Sequence, residues 1–132
     1  MSSLPPKKRV FIVDDEVGFT RLLRLTLEKT GSYLVREENH GPNALESAKS
    51  FRPDIIFLDV VMPELEGGEI AKILRAEPTL ASVPIVFLTA IVSQRETRTD
   101  IQGFPFLAKP VSMSTITACI EERTASAGVS QS

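Results

Sequence analysis

Short apolar runs alternate along the chain with longer stretches in which apolar residues recur every three or four positions. Residues 9–13 are an unbroken β-branched and aromatic run that ends at Asp14 and Asp15. A run without polar alternation fits a strand covered on both faces, as in a parallel sheet. Residues 16–30 carry Phe19, Leu22, Leu23, Thr26 and Leu27 at helical spacing, and Gly31 follows as a stop. Tyr33, Leu34 and Val35 predict a second strand. Gly41 and Pro42 open a second helix with Ala44, Leu45, Ala48 and Phe51 on one face. Proline suits that first turn because it has no N–H to leave unpaired. Residues 55–58 predict a third strand, ending at Asp59. Met62-Pro63 and Gly67-Gly68 bracket a loop, and a helix with Ile70, Ile73 and Leu74 follows. Residues 83–88 predict a fourth strand ending at Thr89. Residues 92–102 form the weakest helix, rich in threonine and charge. Residues 104–108 predict a fifth strand ending at Lys109-Pro110, and Met113, Ile116, Thr117 and Ile120 mark a last amphipathic helix.

Five strands, each followed by a helix, predict an α/β fold: a doubly wound parallel sheet, order 2-1-3-4-5, with helices on both faces. At 132 residues the expectation is one domain over 8–124, with a loose lead-in over 1–7 and a frayed tail over 125–132. Fifteen Lys+Arg against seventeen Asp+Glu lack the basic excess of a general nucleic-acid binder. One cysteine, Cys119, excludes a disulfide framework, and one histidine, His40, excludes a polyhistidine metal centre. No apolar run approaches the ~20 residues of a membrane span and no signal core opens the chain, so the expected setting is cytoplasmic.

Ligands of open α/β sheets bind at the carboxyl ends of the strands, at the switch point. Here those ends carry Asp14 and Asp15, Asp59, Thr89 and Lys109. Each alone is ordinary: an aspartate after a strand often caps a helix, and a lysine is usually solvated. Together they are not, because three carboxylates at one point repel unless a cation joins them. An all-oxygen acidic cluster suits Mg²⁺, which completes its shell with water and phosphate oxygens. The hydroxyl and the ammonium would meet other phosphate oxygens. A carboxylate can itself be the nucleophile, giving an aspartyl phosphate.

At this point the sequence resembles the receiver domain of two-component response regulators, whose fold is flavodoxin-like. The matching segments are Val13-Asp14-Asp15-Glu16, the stretch 58–63 around Asp59, Leu88-Thr89-Ala90 and Leu107-Ala108-Lys109-Pro110, with Asn39-His40-Gly41 also fitting. The resemblance implies that Asp59 is the phosphoacceptor and that Asp14 and Asp15 are the acidic pair. It makes Asp15 the more direct Mg²⁺ ligand, with the Val61 carbonyl completing the protein's share of the shell. It implies a switch hydroxyl on Thr89, a phosphoryl-pairing Lys109, a cis Lys109–Pro110 bond and an aromatic switch at Phe106. The donor would be a phosphohistidine on a sensor kinase or phosphotransfer protein docking near the first helix. The helix at 92–102, strand five and the last helix would change surface for a protein effector, with homodimerisation as one outcome. The chain would be no enzyme beyond its own phosphorylation and slow dephosphorylation.

Val61 and Ile91, two after the acceptor and two after the switch threonine, flank the path of hydrolytic water in the family. Being apolar they cannot orient that water, so a long-lived phosphoryl group is expected. Three alternatives fit the sequence less well. A Mg²⁺-dependent phosphatase or phosphotransferase with an aspartate nucleophile usually has a second aspartate where Val61 stands. A flavin-binding domain needs a phosphate loop after strand one rather than three acids. A degenerate receiver acting only as an interaction module would lack Asp15, Asp59 or Lys109. Lys7, Lys8 and Arg9 read as a solvated lead-in, and Glu121, Glu122 and Arg123 as a solvated helix end.

Overall fold

The structure is a computed structural model and describes residues 6–60, 67–90 and 103–129, with side chains of the last helix through Ala125. Five strands form one parallel sheet: β1 (Lys8–Val13), β2 (Tyr33–Glu38), β3 (Ile55–Asp59), β4 (Ile85–Thr89) and β5 (Phe106–Ala108), in the order β2-β1-β3-β4-β5. Four helices are described: α1 (Val17–Lys29), α2 (Ala44–Phe51), α3 (Gly67–Ala76) and α4 (Met113–Val129). The expected helix over 92–102 lies outside the described residues, as do Val61 and Ile91.

The apolar runs are strands because both of their faces are covered. Phe11, Val13, Ile56, Leu58 and Phe87 point to one side, where Ala48, Phe51, Ile70 and Leu74 of α2 and α3 meet them. Val10, Ile12, Ile55, Phe57 and Leu88 point to the other, against Leu23 and Leu27 of α1 and Ile116 and Ile120 of α4. Fully burying one such side chain contributes about 1.5–3 kcal/mol. The register sets the site: Val13 pairs Leu58, Asp59 pairs Leu88, and Thr89 pairs Ala108. One end of the sheet therefore collects Asp14, Asp59, Thr89 and Lys109.

Several expectations need correction. On α1 the buried positions are Thr20, Leu23 and Leu27, while Leu22 is 67% exposed. The apolar set was wider than the face available, and Thr20 goes in because Glu37 and Asn39 satisfy its hydroxyl. On α3, Ile73 faces outward and Ala71 inward for the same reason. Gly41 and Pro42 begin a 3-10 turn, Gly41–Asn43, ahead of α2. Strand β2 runs on to Glu38, whereas β4 and β5 start two residues later than expected. Helix α4 runs to Val129.

Lys8, Arg9 and Glu121 are not merely solvated. Glu121 accepts from Lys8 Nζ at 2.7 Å and from the Tyr33 hydroxyl at 2.7 Å, tying α4 to β1 and β2. Arg9 Nε donates to the Phe51 carbonyl at 2.7 Å, and its guanidinium lies 4.5 Å from the Phe51 ring centre. Charges at a strand start can be structural when a carbonyl or carboxylate sits across the edge, which sequence alone does not reveal.

Candidate phosphoryl site

Asp14 follows β1 and is fully buried, Asp59 ends β3 and is nearly so, and Asp15 is exposed. One carboxylate oxygen from each lies within 4.8 Å of the others. Asp14 accepts the Glu16 backbone N–H on Oδ1 at 3.0 Å and Lys109 Nζ on Oδ2 at 2.7 Å. Burial pushes the Asp14 carboxyl above its ordinary range; the Lys109 and Glu16 N–H bonds pull it back without cancelling the effect. Burial works against the Lys109 ammonium as well, but Asp14, Asp59 and Glu16 together outweigh it and hold its pKa above the ordinary lysine value.

Lys109 follows β5 and its backbone N–H donates to the Thr89 carbonyl at 2.8 Å, which fixes where its side chain starts. The Lys109–Pro110 peptide is cis. Thr89, buried, closes the same end of β4, and Phe106 lies half-buried on β5 against the Phe11 and Phe87 side of the core. The structure thus brings Asp14, Asp15, Asp59, Thr89 and Lys109 to one end of the sheet.

Four further residues shape the pocket. Asn39 donates from Nδ2 to the Asp14 carbonyl at 2.7 Å and to Thr20 Oγ1 at 2.9 Å. Gly67 opens α3 with its N–H on the Val60 carbonyl at 2.8 Å, and a Cβ there would overlap the Asp59 carbonyl oxygen. Phe19 places its ring centre 4.4 Å from Lys109 Nζ, and Glu16 lies 3.2 Å from the same nitrogen. The Asn39-His40-Gly41 motif hinted at the first. The close approach at Gly67 had no signal beyond the glycine itself.

The oxygen donors fit a hard divalent cation of the Mg²⁺ kind. Both Asp14 oxygens already accept bonds, so exposed Asp15 is the member best suited to direct coordination. An acidic trio with a partly buried lysine at a sheet's carboxyl end is what a phosphoryl group and its counter-ion need.

The sequence signature of the response regulator receiver domain matches residues 10–121. The chain belongs to that family. The polar-differentiation response regulator DivK of Brucella anthropi is 32% identical over 108 residues, spanning 80% of this chain and 87% of DivK. The alkaline phosphatase synthesis transcriptional regulatory protein PhoP of Bacillus subtilis is 41% identical over 83 residues. The chain covers 63% of itself and only 33% of PhoP in that match, and 47% of the response regulator MprA of Mycobacterium ulcerans in another. Among solved structures, a response regulator from Chloroflexus aurantiacus superposes with a TM-score of 0.78 at 29% identity, over 91% of this chain and 99% of that one. The chemotaxis response regulator CheY4 of Vibrio cholerae gives 0.77 at 28%, over 89% and 99%. This receiver domain is therefore a signalling module of the phosphorylation-dependent kind. Among the described residues no helix is long and apolar enough to cross a membrane.

Proposed function

We propose that Asp59 is the phosphoacceptor of this receiver domain, which we take as residues 8–124. The observation that carries the reading is the carboxylate trio within 4.8 Å, with the Lys109 ammonium 2.7 Å from Asp14. An Asp59 oxygen attacks phosphorus as the donor's P–N bond breaks, and the departing imidazole takes up a proton. Asp14 holds Lys109 beside the developing charge, and burial strengthens that attraction. Mg²⁺, held by Asp14, Asp15, Asp59 and the Val61 carbonyl, would neutralise phosphoryl oxygens. Thr89 would then donate its hydroxyl to the phosphoryl group, and Phe106 would turn inward beneath it. The resulting surface, including β5 and α4, would engage a protein effector or a second copy.

The donor is a phosphohistidine of a sensor kinase or phosphotransfer protein, met in the cytoplasm. The chain catalyses only its own phosphorylation and its own slow dephosphorylation. Incubation with acetyl phosphate and Mg²⁺ tests this. Intact mass should rise by one phosphoryl group in the parent and not in Asp59→Ala. An unmodified parent would overturn the reading, and rapid multiple-turnover release of phosphate, without accumulation of the phosphorylated chain, would favour a phosphatase instead.

A further inference from the structure

Glu16 stands at the N-cap of α1 with an extended backbone, yet its side chain makes no capping hydrogen bond. Aspartate, asparagine, serine or threonine at that position would turn an oxygen onto the first N–H groups of its own helix, and glutamate is not among the favoured caps. Here the carboxylate reaches across to Lys109 instead, at 3.2 Å from Nζ. The same ammonium has Asp14 at 2.7 Å and the Phe19 ring centre at 4.4 Å. Its neighbours differ sharply in setting: the Asp14 side chain is fully buried, whereas that of Glu16 is 65% exposed. Two of the ammonium's three N–H donors are thus taken and the Phe19 ring lies beside it, so a newcomer competes with these partners for the lysine. Water readily replaces it around Glu16, whereas Asp14 would be left buried without its partner.

We propose that Glu16 is a positioning residue for Lys109, occupying the ammonium donor that a phosphoryl oxygen on Asp59 takes over. Glu16 thereby sets how readily the lysine is handed to the phosphoryl group. The inference rests on the reading of Asp59 as the phosphoacceptor. An exposed ion pair is a weak competitor, so removing it should tighten phosphoryl binding by about two- to five-fold. The gain should shrink as salt rises, because the competing pair is screened.

Beryllium trifluoride with saturating Mg²⁺ serves as the phosphoryl mimic, and binding to the full chain is followed by amide NMR. The parent, Glu16→Gln, Lys109→Met and the double variant are compared. Glu16→Gln should bind about two- to five-fold tighter, and should make no difference once Lys109 is methionine. The nitrogen signal of the Lys109 ammonium should differ between parent and Glu16→Gln without the mimic, then coincide once the mimic is bound. Equal affinity in parent and Glu16→Gln would overturn the inference alone. So would the same gain in the Lys109→Met background, which would make Glu16 a general negative charge. A parent that binds no mimic would overturn the reading of Asp59, and this inference with it.

Discussion

Gly67 is where the backbone after β3 turns into α3, and the substitution Gly67→Ala puts that turn under measurable load. A Cβ there would overlap the Asp59 carbonyl oxygen and come within 2.8 Å of Val60 Cα and 2.9 Å of the Asp59 carbonyl carbon. Comfortable carbon–carbon contact begins near ~3.5 Å, so backbone on one side or the other has to move by more than about half an ångström. Such overpacking costs about 1–3 kcal/mol. The same displacement loosens the 2.8 Å bond from the Gly67 N–H to Val60. An unpaired buried N–H costs a further ~1–3 kcal/mol. The better helix propensity of alanine returns at most about 1 kcal/mol. A net loss of about 1–6 kcal/mol lowers the unfolding midpoint by roughly 4–24 °C in a domain of this size. Thermal unfolding followed by circular dichroism reads that shift. A Gly67→Ala midpoint within about 2 °C of the parent would refute the account, since no relaxation of backbone on backbone is so inexpensive.

Tyr33 is the sole tyrosine, and its phenol is pushed up to about 12 by burial first and by its bond to Glu121 second. A group raised on folding stabilises the fold fully below its unfolded value of ~10, and that contribution is lost as pH climbs through the folded value. Tyrosinate absorbance should therefore titrate near the upper value in the parent and lower in Glu121→Ala; identical curves would remove Glu121 from the explanation. Arg75 Nη1 donates to the Ala81 carbonyl at 2.6 Å and to Val83 at 2.8 Å, and its guanidinium lies 5.5 Å from the Phe104 ring centre. Arg75→Ala should cost about 1–3 kcal/mol in urea unfolding, and a loss below about 0.5 kcal/mol would count against it. Apolar Val61 and Ile91 predict a phosphoryl group that persists well beyond seconds after donor removal, and decay within seconds would reject that reading.

The fold was legible because its three central strands are buried on both faces. Runs such as Ile55–Asp59 have no other comfortable conformation, and the aspartates that end them are conspicuous against apolar neighbours. The site followed from the strand order, since adjacent strand ends are adjacent in space. What the residues did not disclose depends on distances between segments far apart in the chain. Leu22 and Leu23 are chemically the same, and only the seating of α1 against β2 and the core beneath it decides which is buried. Glu121 reads as any surface glutamate until Tyr33 and Lys8 are found beside it. The roles of Glu16 and Phe19 depend on where the Lys109 side chain comes to rest, which no local pattern records.

Lys109 directly follows β5, an edge strand of three residues whose side chains are at most half-buried. Edges of this kind open locally at a small fraction of the global unfolding energy. Every such opening withdraws the ammonium from Asp14, so the fraying of the outermost strand and the charge of the central pocket are thermodynamically linked. An anion that holds Lys109 at the pocket must slow exchange of the amide protons of β5 by the same factor by which an intact edge improves its own binding. The sheet's rim is in that sense an electrometer for its middle, readable one amide at a time.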